Sequence, residues 1–167
     1  GLYVQQAGPL IRLRADIAGG AESQFVDQII RYRAGQSQYT PIEDANSNCY
    51  APGAPILTYW IASLAGQSTS IAAYRTVQQI FLAITVVFCS WSALALLRFL
   101  RPNDPDAAWW VLFWAPFLYL IATNPQSNIY AHVLCSDGLS VTAASIGAWL
   151  LIKHVTTQDD RWMVPMA

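Results

Sequence analysis

The sequence predicts an all-α, polytopic membrane protein. Hydrophobic residues make up 54% of the 167 residues and charged residues only 11%, whereas roughly a quarter of an ordinary soluble domain is charged. Uncharged apolar runs recur from Thr76 onward, and they approach the roughly 20 residues that a helix needs to cross a bilayer. We therefore expect about three transmembrane helices, a short helix and an amphipathic helix at the interface.

Composition also excludes some partners and sites. A net charge of −1 leaves no basic face to neutralise phosphates, so nucleic acid is not an expected partner. Cys49, Cys89 and Cys135 are too few and too scattered for a disulfide framework or a zinc site, and we interpret them as small apolar side chains. The first residues lack an initiator Met and a signal-peptide core, so we expect the chain to be part of a longer protein.

The N-terminal segment, residues 1–57, is polar and precedes the apolar runs. Over about 21–34, apolar residues recur at helical spacing, charged residues occupy much of the other side, and Gly35 supplies a C-terminal stop. A short amphipathic helix of this kind suits the membrane interface better than the hydrocarbon core. Residues 36–55 contain several prolines and a polar run, which predict an ordered loop.

The membrane helices are predicted within residues 56–154, and residues 155–167 are predicted to form a cytoplasmic loop after them. The first of these helices is short and ends at Gly66, and each of the others is long enough to span. The second should start near Ser68 or Ser70, whose hydroxyls can serve as N-caps. The tryptophans that open the third are typical of an interfacial aromatic belt, and Pro116 predicts a kink in it. The small residues of the last helix, Ser140, Ala143, Ala144 and Gly147, would let another helix approach closely. The predicted ranges are about 56–65, 70–99, 107–123 and 129–153.

The positive-inside rule predicts the orientation of these helices. Arg98 and Arg101 flank one end of the first full span, and Lys153 and Arg161 flank the end of the last one. Both ends therefore belong on the cytoplasmic side, and we expect a bacterial inner membrane. The cytoplasmic regions are then 98–106 and 153–167, and the extracytoplasmic regions are 1–57 and 123–137.

Three side chains on or near the extracytoplasmic side are candidates for a role in catalysis or substrate binding. Glu22 could be a general base that accepts a proton from a hydroxyl nucleophile, or simply an acid favoured by the helix N-terminus. Asp137, in a mostly apolar helix, indicates a function or a specific partner, or a headgroup-level residue bonded to nearby backbone. Arg75 could bind a lipid phosphate or be a snorkelling anchor. Asp27 is interpreted as a solvated residue or as the partner of Arg31 at i+4.

The order of motifs resembles the N-terminal part of the GT-C superfamily, the integral membrane glycosyltransferases that use polyprenyl-phosphate sugars. This superfamily includes the protein mannosyltransferase and aminoarabinose transferase branches. The resemblance starts at about residue 10 and covers nearly all of the chain from there. Its motifs are GGAESQFVDQIIRYRAGQSQYT, then YAPGAPIL, then AAYR at the start of a span, and finally SDGLSVTAASIGAWLL.

The resemblance implies a site. Glu22 falls at the place of the catalytic base, although members more often have Asp or an Asp-Glu pair there. Asp137 matches the acid of the later helix, and Arg75 is implied to bind the donor phosphate. The cofactor is open, and a divalent cation held by acids such as Asp137 is one option. The loop motif corresponds to Tyr50, Pro52, Gly53 and Pro55.

Two functions follow as hypotheses. The first is an inverting glycosyltransferase fragment that acts on a polyprenyl-phosphate-linked sugar. Because the family's first span, later spans and C-terminal domain are missing, we expect this chain alone to be inactive. The second is a non-catalytic accessory subunit that packs within a larger membrane complex, with the aromatic-rich helix as its contact surface. The expected partners are the lipid bilayer and either other membrane subunits or the remainder of the protein.

Overall fold

The computed structural model describes residues 12, 21–39, 43, 52–103, 105–106, 109–111, 114–115 and 137–162. All regular secondary structure in these residues is helical, which confirms the all-α prediction for the described part of the chain. The elements are α1 (Ala21–Arg33), α2 (Gly53–Leu64), α3 (Ile71–Leu100), α4 (Asp137–Thr157) and a short 3-10 helix, η1 (Asp160–Trp162).

The ends of α1 and α2 are set by two glycines. Gly35 and Gly66 have φ of 67° and 69°, a left-handed conformation that glycine adopts without steric cost. In both places the backbone N–H of the residue after the glycine donates to the carbonyl of the residue five positions earlier. Gln36 N donates to Arg31 O at 2.9 Å, and Gln67 N donates to Ala62 O at 2.9 Å. This is the Schellman arrangement, which satisfies the last helical carbonyls.

The long helix α3 begins at a side-chain cap. Ser70 is extended, and its hydroxyl accepts a hydrogen bond from Ala73 N at 3.2 Å, as a helix N-cap does. The helix has 30 residues and is therefore about 45 Å long, whereas the hydrocarbon core of a bilayer is about 30 Å thick. Its ends must therefore extend beyond the hydrocarbon unless the helix is strongly tilted.

Helices α3 and α4 run parallel, because Gly138 lies against Gln78 near their starts and Lys153 lines one cavity with Arg98 near their ends. They pack through a line of small and hydroxyl-bearing residues. The Thr142 hydroxyl lies 2.9 Å from the Thr85 hydroxyl and donates to the Phe81 carbonyl at 2.9 Å. At Gly138 a Cβ would lie only 2.6 Å from Gln78 Oε1, so the absence of a side chain there permits the close approach. We call Gln78, Phe81, Thr85, Gly138 and Thr142 the polar helix contact.

Four small residues of α4 are predicted to let another helix approach closely. Ser140, Ala143 and Ala144 are exposed in the described part of the structure, and Gly147 is half-buried. The face of α4 that packs on α3 contains Thr142 and Ser145, which are 4% and 7% exposed. The contact at the four small residues stays a prediction, and hydrogen bonding by threonine stabilises the contact with α3.

Two described helices, α3 and α4, are long and apolar enough to cross a membrane. Only 11% and 17% of the residues in their most apolar windows are buried, whereas the core helix of a soluble protein is largely buried. Most residues of these windows are therefore at least partly exposed, as in membrane spans. The span predicted over 107–123 lies mostly outside the described residues, and its described parts, 109–111 and 114–115, are helical.

The polar helix contact predicts a specific stability effect. Thr142→Val removes the hydroxyl but keeps the shape of the side chain, and it leaves the buried Thr85 hydroxyl with one partner fewer. We expect it to lower the free energy of unfolding in detergent by about 0.5–2 kcal/mol. Thr76→Val is the matched control, because the exposed Thr76 bonds only within its own helix turn, to Ala72 O. Equal effects of the two substitutions would contradict the assigned contact.

Candidate functional site

A buried ion pair joins the N-terminal segment to the membrane helices. Arg75 Nε donates to Glu22 Oε1 at 2.8 Å, and Arg75 Nη2 donates to Glu22 Oε2 at 2.6 Å. Glu22 is 3% exposed and Arg75 is 1% exposed. The contact is therefore bidentate, the geometry in which a planar guanidinium binds a carboxylate most strongly.

The elements around the ion pair explain why it is buried. Glu22 is in the first turn of α1 and Arg75 is in the second turn of α3, so the pair closes a connection over 53 residues. Next to it, apolar side chains from α1, α2 and α3 form the largest described core. This core consists of Phe25, Ile29, Ala54, Ala62 and Tyr74.

Glutamine and threonine side chains extend this polar interior. Gln78 Nε2 donates to Thr58 Oγ1 at 3.1 Å, which connects α3 to α2, and Gln28 in α1 is 1% exposed. Sequence analysis missed these residues. Their signal was present, because Gln78 and Thr85 stand seven residues apart in an apolar helix and therefore lie on one face.

Asp137 is the first residue of α4, and its side chain is exposed. Its neighbour Gly138 lies against Gln78, one helical turn from Arg75. Asp137 therefore lies at the same end of the α3–α4 pair as the Glu22–Arg75 ion pair. An acid in the first helical turn is also favoured by the helix macrodipole.

The remaining predicted site residues have structural positions of their own. Pro52 is the N-cap of α2, Gly53 is its first residue, and the buried Pro55 follows in its first turn, where a proline costs no helical hydrogen bond. Tyr50 lies outside the described residues. Asp27 pairs with Arg31 at 2.7 Å within α1, as the i+4 interpretation expected.

The geometry defines what the ion pair can do as it stands. Both carboxylate oxygens of Glu22 accept hydrogen bonds from Arg75, and both side chains are shielded from solvent. The roles of base and phosphate ligand stay predictions.

The described part of the chain contains no group of three His, Cys, Asp or Glu side chains that could bind a metal ion.

Two of the cavities in the described structure lie along α3. One, of about 560 Å³, lies between the middle of α3 and the tryptophans at 110 and 114 and is almost wholly apolar. The other, of about 710 Å³, lies at the far end of α3 from Arg75 and contains Arg98 and Lys153.

Comparison with family models, with curated proteins and with solved structures finds no match to this chain. The function must therefore be argued from the arrangement of its own residues.

The burial of the ion pair predicts a large stability effect. Glu22→Gln replaces the carboxylate that binds the buried Arg75 guanidinium by a neutral amide, so we expect the free energy of unfolding to fall by about 3–5 kcal/mol. Asp27→Asn makes the same chemical change in the same helix, at a residue whose side chain is 46% exposed. We expect that control to cost about 0.5 kcal/mol or less. Denaturant titration in micelles measures both, and a Glu22→Gln loss as small as the control would show that the pair contributes little.

Proposed function

We propose that this chain is part of a GT-C-like inverting glycosyltransferase that transfers a sugar from a polyprenyl-phosphate donor to an acceptor hydroxyl. One observation carries the proposal. Glu22, Arg75 and Asp137, which the motif resemblance assigns to one site, lie far apart in sequence and at the same end of the α3–α4 pair. Two of them are in direct contact.

The proposed reaction is a displacement at the anomeric carbon of the donor sugar. The acceptor oxygen forms a bond to that carbon while the bond between the carbon and the phosphate oxygen breaks, so the configuration inverts. Glu22 takes the proton from the acceptor hydroxyl. Arg75 stabilises the charge on the departing polyprenyl phosphate, and Asp137 is open to solvent for a polar group of a substrate or for a cation.

The ion pair has a defined place in this proposal. A phosphate is a ligand that a guanidinium can also bind in bidentate fashion, so the donor phosphate competes with Glu22 for Arg75. Once the phosphate replaces the carboxylate, Glu22 is free to act as the base. Donor binding would then activate the base, and in the absence of donor the carboxylate stays bound to Arg75.

The membrane setting of the proposal is an integral protein of a bacterial inner membrane with α3 and α4 as spans. Arg75 and Arg98 are near opposite ends of α3, about 35 Å apart along its axis, which is close to the thickness of the hydrocarbon core. Arg98 and Lys153 line one cavity, so the basic end of α3 and that of α4 coincide. The positive-inside rule assigns this end to the cytoplasm and the Glu22–Arg75 end to the opposite side.

A second candidate function, a non-catalytic accessory subunit, is favoured by the closed and buried state of the ion pair. In that case Glu22 and Arg75 only fasten α1 to α3. The exposed tryptophans Trp109, Trp110 and Trp114, which are 70%, 57% and 45% exposed, would then contact lipid or a neighbouring subunit.

The two functions predict different results for two variants. Glu22→Gln removes the base, and the double variant Glu22→Arg with Arg75→Glu restores an ion pair with the charges exchanged. If the chain is catalytic, both should lower sugar transfer by about 100-fold or more per folded molecule. If the pair only holds α1 against α3, the double variant with exchanged charges should leave the activity of the membrane complex that contains this chain unchanged.

The assay uses membranes that contain the full-length protein, radiolabelled polyprenyl-phosphate sugars and the acceptors of those membranes. Size-exclusion chromatography supplies the folded fraction, so that lower stability is not mistaken for lower turnover. Asp27→Asn is the control, and we expect it to keep normal turnover. Undiminished turnover by folded Glu22→Gln protein would remove Glu22 from the role of base.

A further inference from the structure

The cytoplasmic end of the helix pair contains a second site that the proposed glycosyltransferase chemistry does not use. The cavity of about 710 Å³ lies between the last turns of α3 and α4, and its lining includes Arg98 and Lys153. Arg98 is exposed and Lys153 is half-buried. We call this cavity the basic groove.

Positive charge in the basic groove is not neutralised by the described lining. None of the residues described as lining it is an acid. The nearest described acid along α4 is Asp159, and its carboxylate pairs with Arg161. The Lys153 ammonium lies 5.5 Å from the centre of the Trp162 ring, a contact that holds the cation near the groove without neutralising it. The groove therefore attracts an anion.

An aromatic wall gives the basic groove its shape. Trp91 and Trp149 line the groove, and their ring centres are 5.9 Å apart. Phe88 contacts both rings edge-to-face, each at 5.3 Å, and Trp162 contacts Trp149 at 5.4 Å. Contacts of this kind stabilise ring pairs beyond their simple burial. The wall is therefore a preformed apolar surface directly beside two cations.

The chemistry of the groove selects its occupant. An anionic group for Arg98 and Lys153 must be joined to an apolar portion that covers the tryptophans, and this combination is an anionic phospholipid. The site is also at the depth where such a headgroup lies, because Arg98 is one hydrocarbon thickness from Arg75 along α3. Leu96 and Phe99, which flank Arg98 in α3, are 44% and 56% exposed, so apolar surface is available beside the cation.

We propose that the basic groove binds one anionic phospholipid of the cytoplasmic leaflet, with its phosphate on Arg98 and Lys153 and an acyl chain along Trp91 and Trp149. The Thr156 hydroxyl also lines the groove and donates to Lys153 O at 3.3 Å, so it can donate to the phosphate only by turning away from that carbonyl. Such a lipid would join the last turns of α3 and α4, which lie at the opposite end from the Glu22–Arg75 ion pair.

The chain supplies a matched control for this site. Arg101 is exposed and stands three residues after Arg98, as the C-cap of α3, but it does not line the groove. A general attraction of basic residues to an anionic surface would treat Arg98 and Arg101 alike. A specific lipid-binding site requires Arg98 and Lys153 and does not depend on Arg101.

Native mass spectrometry of the detergent-solubilised protein tests the proposal with phosphatidylglycerol and phosphatidylcholine of the same acyl chains. We expect phosphatidylglycerol to be retained roughly tenfold better than phosphatidylcholine. The double variant Arg98→Gln with Lys153→Gln should lose that preference, and Arg101→Gln should keep it. The exchange Arg98→Lys with Lys153→Arg preserves both charges and should also keep it, which separates loss of charge from disturbed folding.

Several results would overturn the proposal. Equal retention of the two lipids would show an apolar groove without headgroup recognition, and equal losses in Arg98→Gln and Arg101→Gln would show unspecific attraction. Displacement of phosphatidylglycerol by millimolar inorganic phosphate would show a site for the free anion. Because the groove is remote from Glu22, none of these results depends on whether the chain transfers a sugar.

Discussion

The contact between Glu22 and Arg75 is the interaction on which the described structure depends most. Helix α1 has a half-polar surface and is only 13 residues long, and a helix of that length is marginally stable on its own. Burial of Phe25 and Ile29 and a bidentate ion pair fix it against the start of α3. Removing either ion would take a charged partner from a side chain that is almost fully buried, and such a loss is costly.

The second constraint is the close approach of α3 and α4. In lipid, apolar surface gives helices little reason to associate, so hydrogen bonds and small residues must hold them together. Thr142 and Thr85 supply the hydrogen bonds, and Gly138 supplies the space. Because the helices run parallel, this contact also decides which residues share an end. It brings Asp137 to the end at which Arg75 lies and Lys153 to the end at which Arg98 lies.

The parts of the fold that sequence could predict are those set by local chemistry. Gly35 and Gly66 end helices because only a residue without a Cβ adopts their backbone conformation freely, and Ser70 begins one because its hydroxyl can cap it. The apolar runs predicted the two described helices that are long and apolar enough to cross a membrane, because the preference for an apolar environment is a property of each residue. The ion pair escaped prediction because nothing in the sequence measures the distance between Glu22 and Arg75. From the sequence, Glu22 was interpreted as a base for a substrate hydroxyl and Arg75 as a ligand of a substrate phosphate. In the structure the two side chains bind each other. Asp137 is exposed at the start of α4. An acid is expected at this position both if it binds a substrate and if it only interacts favourably with the helix N-terminus.

The most direct test of the account is a double-mutant cycle on Glu22 and Arg75, with unfolding measured in lipid nanodiscs. Glu22→Gln, Arg75→Gln and the double variant together isolate the coupling between the two side chains. The account predicts a coupling free energy of about 2 kcal/mol or more, because the contact is bidentate and shielded from water. A coupling below about 0.5 kcal/mol, which is typical of an exposed pair, would contradict it.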